Sequence, residues 1–125
     1  MIKETVSLVI IYVLSMGLHE IMHIKSQRLT TGTIWVHRAG MTCLADDVIS
    51  WKWFLYAGGI LTSPVMFIMA ALDPDSVHTL GFLTAGWLHL CYGCYEGYAE
   101  NNIRWVRYLI YAGVISINVI AWQLI

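Results

Sequence analysis

The chain has 125 residues, a length that suits one domain, and a formal net charge of −1. Its apolar fraction is 58% and its charged fraction is 12%, against roughly 45–50% and about 25% in soluble domains. So few charges argue against an ordinary soluble domain, and the net charge gives no reason to expect a nucleic-acid partner. We therefore expect a single integral membrane domain over residues 1–125, surrounded by the lipid bilayer.

Four segments are predicted to be membrane-spanning helices, because each has close to the 20 mostly apolar residues that a bilayer requires. They run from about residue 5 to 24, 51 to 72, 80 to 98 and 105 to 125. The first and third contain histidine and glutamate. An acid costs about 2.5 kcal/mol or more at mid-membrane, so these side chains are expected to face a protein interior. If the third segment does not span, the C-terminus lies on the opposite side.

The connection between the first two spans favours a small β-hairpin. Residues 31–37 are rich in β-branched and aromatic side chains, Ala39-Gly40 is a turn signal, and residues 41–44 can return as a second strand. An irregular interfacial loop is the alternative. The predicted fold is thus an all-α integral membrane protein with about four transmembrane helices and a possible hairpin between helices 1 and 2.

The basic residues predict the orientation of the spans. They concentrate in the connections between spans one and two and between spans three and four, whereas Lys3 alone lies on the other side. By the positive-inside rule, both of these connections are cytoplasmic and both termini are extracytoplasmic. The basic residues in the two connections are Lys25, Arg28, Arg38, Lys52, Arg104 and Arg107.

Residues 19–23 read His-Glu-Ile-Met-His and carry the clearest chemical signal. On a helix, His19 and His23 lie one turn apart on the same face, so both imidazoles can bind one Zn²⁺. Glu20 is then placed to act as the general base toward a zinc-activated water. The alternative is a helix end whose polar side chains reach cytoplasmic water.

A catalytic zinc usually has three protein ligands, and the third span offers three candidates. His89, Glu96 and Glu100 are spaced by seven and four residues and share one helix face, so the spacing does not choose among them. Depth in the membrane favours Glu96, which matches the level of the two histidines. By contrast, His89 is expected about 10 Å away, opposite residues 12–16, and Glu100 is expected in water.

The other metal-capable side chains are predicted to lie outside the site. The cysteines are expected to be reduced thiols, since three are too few for a disulfide framework. Two of them fall on the opposite face of the third span, the remaining histidines belong to loops, and a pair of aspartates is solvated. These residues are Cys43, Cys91, Cys94, His37, His78, Asp46 and Asp47.

Taken in order, these motifs resemble the site-2 protease family of intramembrane zinc metalloproteases. That family places His-Glu-x-x-His before membrane-associated β-structure, an Ala-Gly-Pro-like turn opening a helix, and a Leu-Asp-Gly motif. The corresponding segments here are residues 19–23, the possible hairpin of 31–44, Ala57-Gly58-Gly59 and Tyr95-Glu96-Gly97. The resemblance covers roughly residues 5–100. It implies Zn²⁺ held by His19, His23 and Glu96.

The sequence therefore predicts an intramembrane zinc metalloprotease with its active site toward the cytoplasmic side. Its substrate would be a membrane-embedded or membrane-adjacent protein or peptide, and a strand of the 31–44 segment could pair with it. A non-enzymatic metal-binding or metal-handling membrane protein would use the same ligands. A structural membrane subunit, whose polar side chains bond between helices, is a third reading. The sequence gives no indication of the oligomeric state.

Overall fold

A computed structural model describes residues 2–27, 32–37, 40–45, 48–99 and 104–124. Helices dominate it, and one two-stranded antiparallel sheet lies between the first two helices, so the predicted helical class and the hairpin are both confirmed. The elements are α1 (Ile2–Ser26), β1 (Thr33–His37), β2 (Gly40–Leu44), α2 (Trp51–Leu72), α3 (Ser76–Ala99) and α4 (Arg104–Leu124).

Within the described residues, two helices are long and apolar enough to cross a membrane, namely α1 and α2. The apolar part of α4, Trp105–Ile120, is shorter, and α3 is interrupted by ionisable side chains and glycines. Length and composition thus support two of the four predicted spans. The outer face of α1 is apolar as well, since Val6, Val9 and Val13 are each at least half exposed. Such a continuous apolar surface fits a lipid environment.

Among the described residues, helices α2 and α3 make the most extensive contact of any two elements, and the short connection 73–75 joins them. Small residues permit this approach: a Cβ built on Gly59 would overlap Cα of Gly93 and the carbonyl oxygen of His89. Thr62 and Ser63, on the same helix, are fully buried. Residues 57–59 lie inside α2 rather than in a turn that opens it, because α2 already begins at Trp51.

Two polar contacts fix the ends of the helices that carry the site. The buried Gln27 side chain accepts from the Ser50 N–H at 2.8 Å and donates to the Ser50 carbonyl at 3.2 Å, which ties the end of α1 to the start of α2. Asp75 caps α3 by accepting from the N–H groups of Val77 and His78. These backbone donors lower the pKa of the Asp75 carboxyl group.

Candidate metal centre

The buried face of α1 presents both histidines of the motif to the interior. Its buried residues recur every four positions: Ile11, Ser15, His19 and His23. This spacing follows one stripe along a helix, so burial of the apolar end of the stripe also brings both imidazoles inside. Their Nε2 atoms lie 3.1 Å apart.

Glu96 reaches the same point from α3. Its Oε2 atom lies 3.2 Å from Nε2 of His19 and 3.3 Å from Nε2 of His23. Two donors at zinc-binding distances of about 2.0–2.1 Å, separated by a tetrahedral angle, would lie about 3.3 Å apart. The three donors therefore have the mutual spacing of one face of a tetrahedral site. Together His19, His23 and Glu96 could hold a metal ion.

The space beside these donors is kept open by Gly58 of α2. A Cβ built at Gly58 would lie 2.7 Å from Nε2 of His19 and closer still to Nε2 of His23. Any larger residue would put carbon where the three donor atoms converge. No pattern in the sequence indicated a role for Gly58 at the metal.

Hydrogen bonds on the far sides of the two imidazoles fix their orientation. Nδ1 of His23 donates to the carbonyl oxygen of Phe54, which leaves the Nε2 lone pair directed at the other donors. Nδ1 of His19 lies 3.1 Å from Nδ1 of His89. If the Nε2 lone pair of His19 held a cation, its Nδ1 would carry the proton and would donate to Nδ1 of His89, as metal-bound histidines donate their second ring N–H to a nearby acceptor.

The position of His89 differs from the predicted one. It was expected about two turns away from His19, yet their ring centroids are 5.0 Å apart. The prediction considered only the rise along the helix axis. The imidazole of His19 has nitrogens on two edges, and it spans from His89 to Glu96, which lie two turns apart on α3. His89 is therefore placed to orient His19 and not to bind the metal directly.

Glu20 lies beside the donor cluster without joining it. It lines the same cavity, and its Oε2 accepts from the backbone N–H of Cys43 in β2 at 2.8 Å. Burial, reinforced by the negative charge of Glu20, raises the pKa of the Cys43 thiol to about 12. That thiol is consequently protonated at neutral pH.

The cavity around the cluster has a volume of about 300 Å³. It is walled by α1, β2, α2 and α3, and α4 contributes Arg107 and Tyr111. Arg107 was treated in the sequence only as a cytoplasmic charge, and no short motif marked it as part of a site. Its Nη2 atom donates to the hydroxyl of Tyr92 at 2.7 Å.

The remaining candidates lie elsewhere or are not described. Cys91 and Cys94 are exposed free thiols, and Nδ1 of His78 lies 3.3 Å from Asp73 in the connection between α2 and α3. The side chain of His37 is not described. Glu100, Asp46 and Asp47 lie outside the described residues.

Comparison of the chain with family models, curated proteins and solved structures gives no match in any of the three. The resemblance to the site-2 protease family stays a prediction from the motifs.

Proposed function

We propose that the protein is an intramembrane zinc metalloprotease. The observation that carries this proposal is the convergence of His19 Nε2, His23 Nε2 and Glu96 Oε2 to within 3.1–3.3 Å of one another. These groups come from helices separated by most of the chain, and two of the three are deeply buried. Ionisable groups gathered in an apolar interior are costly, so their presence indicates a functional site.

The roles of the residues follow from their positions around the cavity. His19, His23 and Glu96 would hold Zn²⁺, which when bound acidifies water and polarises a carbonyl oxygen. Glu20 would take a proton from the attacking water and deliver it to the departing amine nitrogen, so that hydrolysis of the peptide bond is balanced. His89 would keep His19 in the tautomer that leaves its Nε2 lone pair available.

Strand β2 offers a way to hold an extended substrate beside these groups. Met41, Thr42 and Cys43 line the cavity, and the N–H of Cys43 is directed at Glu20. A substrate strand that pairs with this edge would supply a carbonyl oxygen for that N–H in place of Glu20. Substrate binding would thereby release Glu20 for proton transfer. A transmembrane substrate helix would have to unwind before cleavage, because a helix keeps its peptide bonds in its own hydrogen bonds.

In the same proposal the protein is a multi-pass membrane protein, with α3 and α4 crossing beside α1 and α2. Helix α3 has 24 residues, which at 1.5 Å per residue covers a bilayer core of about 30 Å. Several of its polar side chains, among them Thr84 and His89, are buried against neighbouring helices. These buried polar residues lower the mean hydropathy of α3, but in the proposed arrangement they do not face lipid.

The proposed orientation has both termini extracytoplasmic and the site toward the cytoplasm. Single cysteines added at each terminus should react with a membrane-impermeant maleimide from outside sealed cells. Native cysteines would be replaced by serine for this measurement. Labelling of both termini only after permeabilisation would reverse the orientation, and labelling of one terminus alone would require an odd number of spans.

A non-enzymatic metal-binding function is the second candidate. One observation favours it: Oε2 of Glu20 already accepts the Cys43 N–H, so the proposed base is engaged by the protein itself. In that case Glu20 would serve the structure of the site, and loss of its charge would weaken metal binding.

Substitution of Glu20 separates the two functions. In a protease, Glu20→Gln should retain about one zinc per chain while peptide hydrolysis falls by at least about 100-fold, in the range expected for loss of a general base. Zinc content and cleavage of a transmembrane-peptide library would be measured on the same detergent-purified protein. Glu4→Gln, at the exposed start of α1, is the matched control. Loss of zinc from Glu20→Gln, or wild-type protein without cleavage, would favour the second function.

A further inference from the structure

Two side chains in the helix core each bury a polar atom that has no hydrogen-bond partner among the described residues. These atoms are Oγ1 of Thr62 on α2 and Nε2 of His89 on α3. The Thr62 side chain is fully buried, and His89 is only 4% exposed. A buried polar atom without a partner is costly, and it is rare in folded proteins. Both atoms therefore require a partner from within the core.

The contact between His19 and His89 determines which ring nitrogen of His89 is a donor. If His19 binds a cation through Nε2, its Nδ1–H donates to Nδ1 of His89, which lies 3.1 Å away. A neutral imidazole has one N–H group, so His89 then carries its hydrogen on Nε2. The unpartnered nitrogen of His89 is consequently a donor, and it requires an acceptor on the edge of the ring that does not face His19.

Thr62 lies at the level of His89 along the contact between α2 and α3. A Cβ built on Gly59 would overlap the carbonyl oxygen of His89. Further along the same two helices, Met66 and Ala85 belong to one buried cluster. Thr62 lies on α2 between Gly59 and Met66, and the facing part of α3 is the turn that leads back from His89 toward Ala85.

Thr62 also lies on the side of α2 that faces the metal ligands. It follows Gly58 by four residues, and positions four apart share one face of a helix. A Cβ built on Gly58 would lie 2.7 Å from Nε2 of His19. Thr62 is therefore directed at the junction of α1 and α3, one turn from the donor cluster. A threonine hydroxyl has two lone pairs and can accept an N–H group.

We infer that Thr62 is a positioning residue of the metal centre, whose hydroxyl accepts the Nε2–H of His89. This inference rests on the metal centre of the proposed function. A chain of hydrogen bonds then runs from the ligand His19 through His89 to α2. Loss of the hydroxyl would leave His89 without an acceptor and would loosen the orientation of His19. Groups that orient a metal-bound histidine change metal affinity by about 10–100-fold.

The zinc affinity of the full chain in detergent tests this inference, measured by competition with a chromogenic chelator. Thr62→Val keeps the shape of the side chain but removes the hydroxyl, and it should weaken zinc binding by about 10-fold. Thr62→Ser keeps the hydroxyl and should bind zinc nearly as wild type does. Thr84→Val is the matched control and should leave the affinity unchanged. Thr84 is buried on α3, but its hydroxyl donates to the carbonyl oxygen of Leu80 in its own helix at 2.8 Å.

A double-mutant cycle shows whether Thr62 acts through His89. His89→Phe removes both ring nitrogens, so adding Thr62→Val to it should cause no further loss of zinc affinity, because both substitutions break the same hydrogen bond. A packing defect caused by the valine would instead weaken zinc binding in either background. In zinc-loaded wild type, ¹⁵N NMR of labelled histidines should show His89 as the Nε2–H tautomer.

Gel filtration in detergent identifies any variant that does not fold, and Thr62→Ala replaces Thr62→Val if the valine is not accepted. Three results would overturn the inference and leave the metal centre intact. They are wild-type zinc affinity without the hydroxyl, failure of Thr62→Ser to restore the affinity, and an equal loss with and without His89. Wild type that holds no zinc would overturn the proposed function and the inference with it.

Discussion

Gly58→Ala should abolish stoichiometric metal binding although it alters no ligand. The added methyl group would lie 2.7 Å from Nε2 of His19 and nearer to Nε2 of His23, well inside the contact distance of about 3.5–4.0 Å for non-bonded heavy atoms. It would therefore occupy the space where His19, His23 and Glu96 converge. We expect zinc content, measured by elemental analysis after gel filtration in detergent, to fall from about one per chain to near zero.

Gly17→Ala is the matched control for this substitution. Gly17 lies on α1, two residues before His19, and a Cβ built there meets no atom within 4 Å. Alanine also favours a helix by about 1 kcal/mol relative to glycine. Gly17→Ala should thus keep its zinc and its stability. If Gly58→Ala retained zinc at the wild-type level, the three donors could not be the metal site as described.

The half of the site on α1 could be predicted because it depends on local geometry alone. Positions four residues apart share a helix face whatever the rest of the chain does, and His19 and His23 continue the buried stripe that begins at Ile11. The hairpin could be predicted for a similar reason. Its β-branched run, its turn and its returning strand are adjacent in sequence, and the register pairs Trp35 with Thr42 across them.

The other half depends on how the helices pack, which no local pattern specifies. Gly58 and Gly59 are chemically identical neighbours, yet one faces the two histidines and the other faces α3. The rotation of α2 about its own axis determines which glycine faces the histidines of α1 and which faces α3. The same holds for His89, whose contact with His19 follows from the crossing of α1 and α3, and for Arg107. A basic residue near a predicted membrane boundary is expected to face water, but α4 packs against α3 and brings Arg107 into the cavity.

The hydropathy of α3 shows the same dependence on tertiary structure. A hydropathy test scores a helix as though all its side chains met the same solvent. Helix α3 has its polar groups on the side that packs against the other helices, with Thr84 and His89 nearly inaccessible. The composition of α3 therefore falls short of the criterion that α1 and α2 meet, although Leu83 and Trp87 are exposed on its outer side.

Glu96→Ala should weaken zinc binding by more than about 100-fold, because it removes a direct donor, and loss of groups that only orient a ligand already costs about 10–100-fold. Glu96→Gln should weaken it to a similar degree. It keeps the volume of the side chain but loses the negative charge that faces both Nε2 atoms at 3.2 and 3.3 Å. Competition with a chromogenic chelator would give the affinities. Glu100→Ala, four residues further along the sequence, is the comparison, and it should bind zinc as wild type does. If Glu100→Ala lost the metal while Glu96→Ala kept it, the third ligand would be Glu100. The pairing of His19 with His23 would stand in either case, since it does not depend on which acid completes the site.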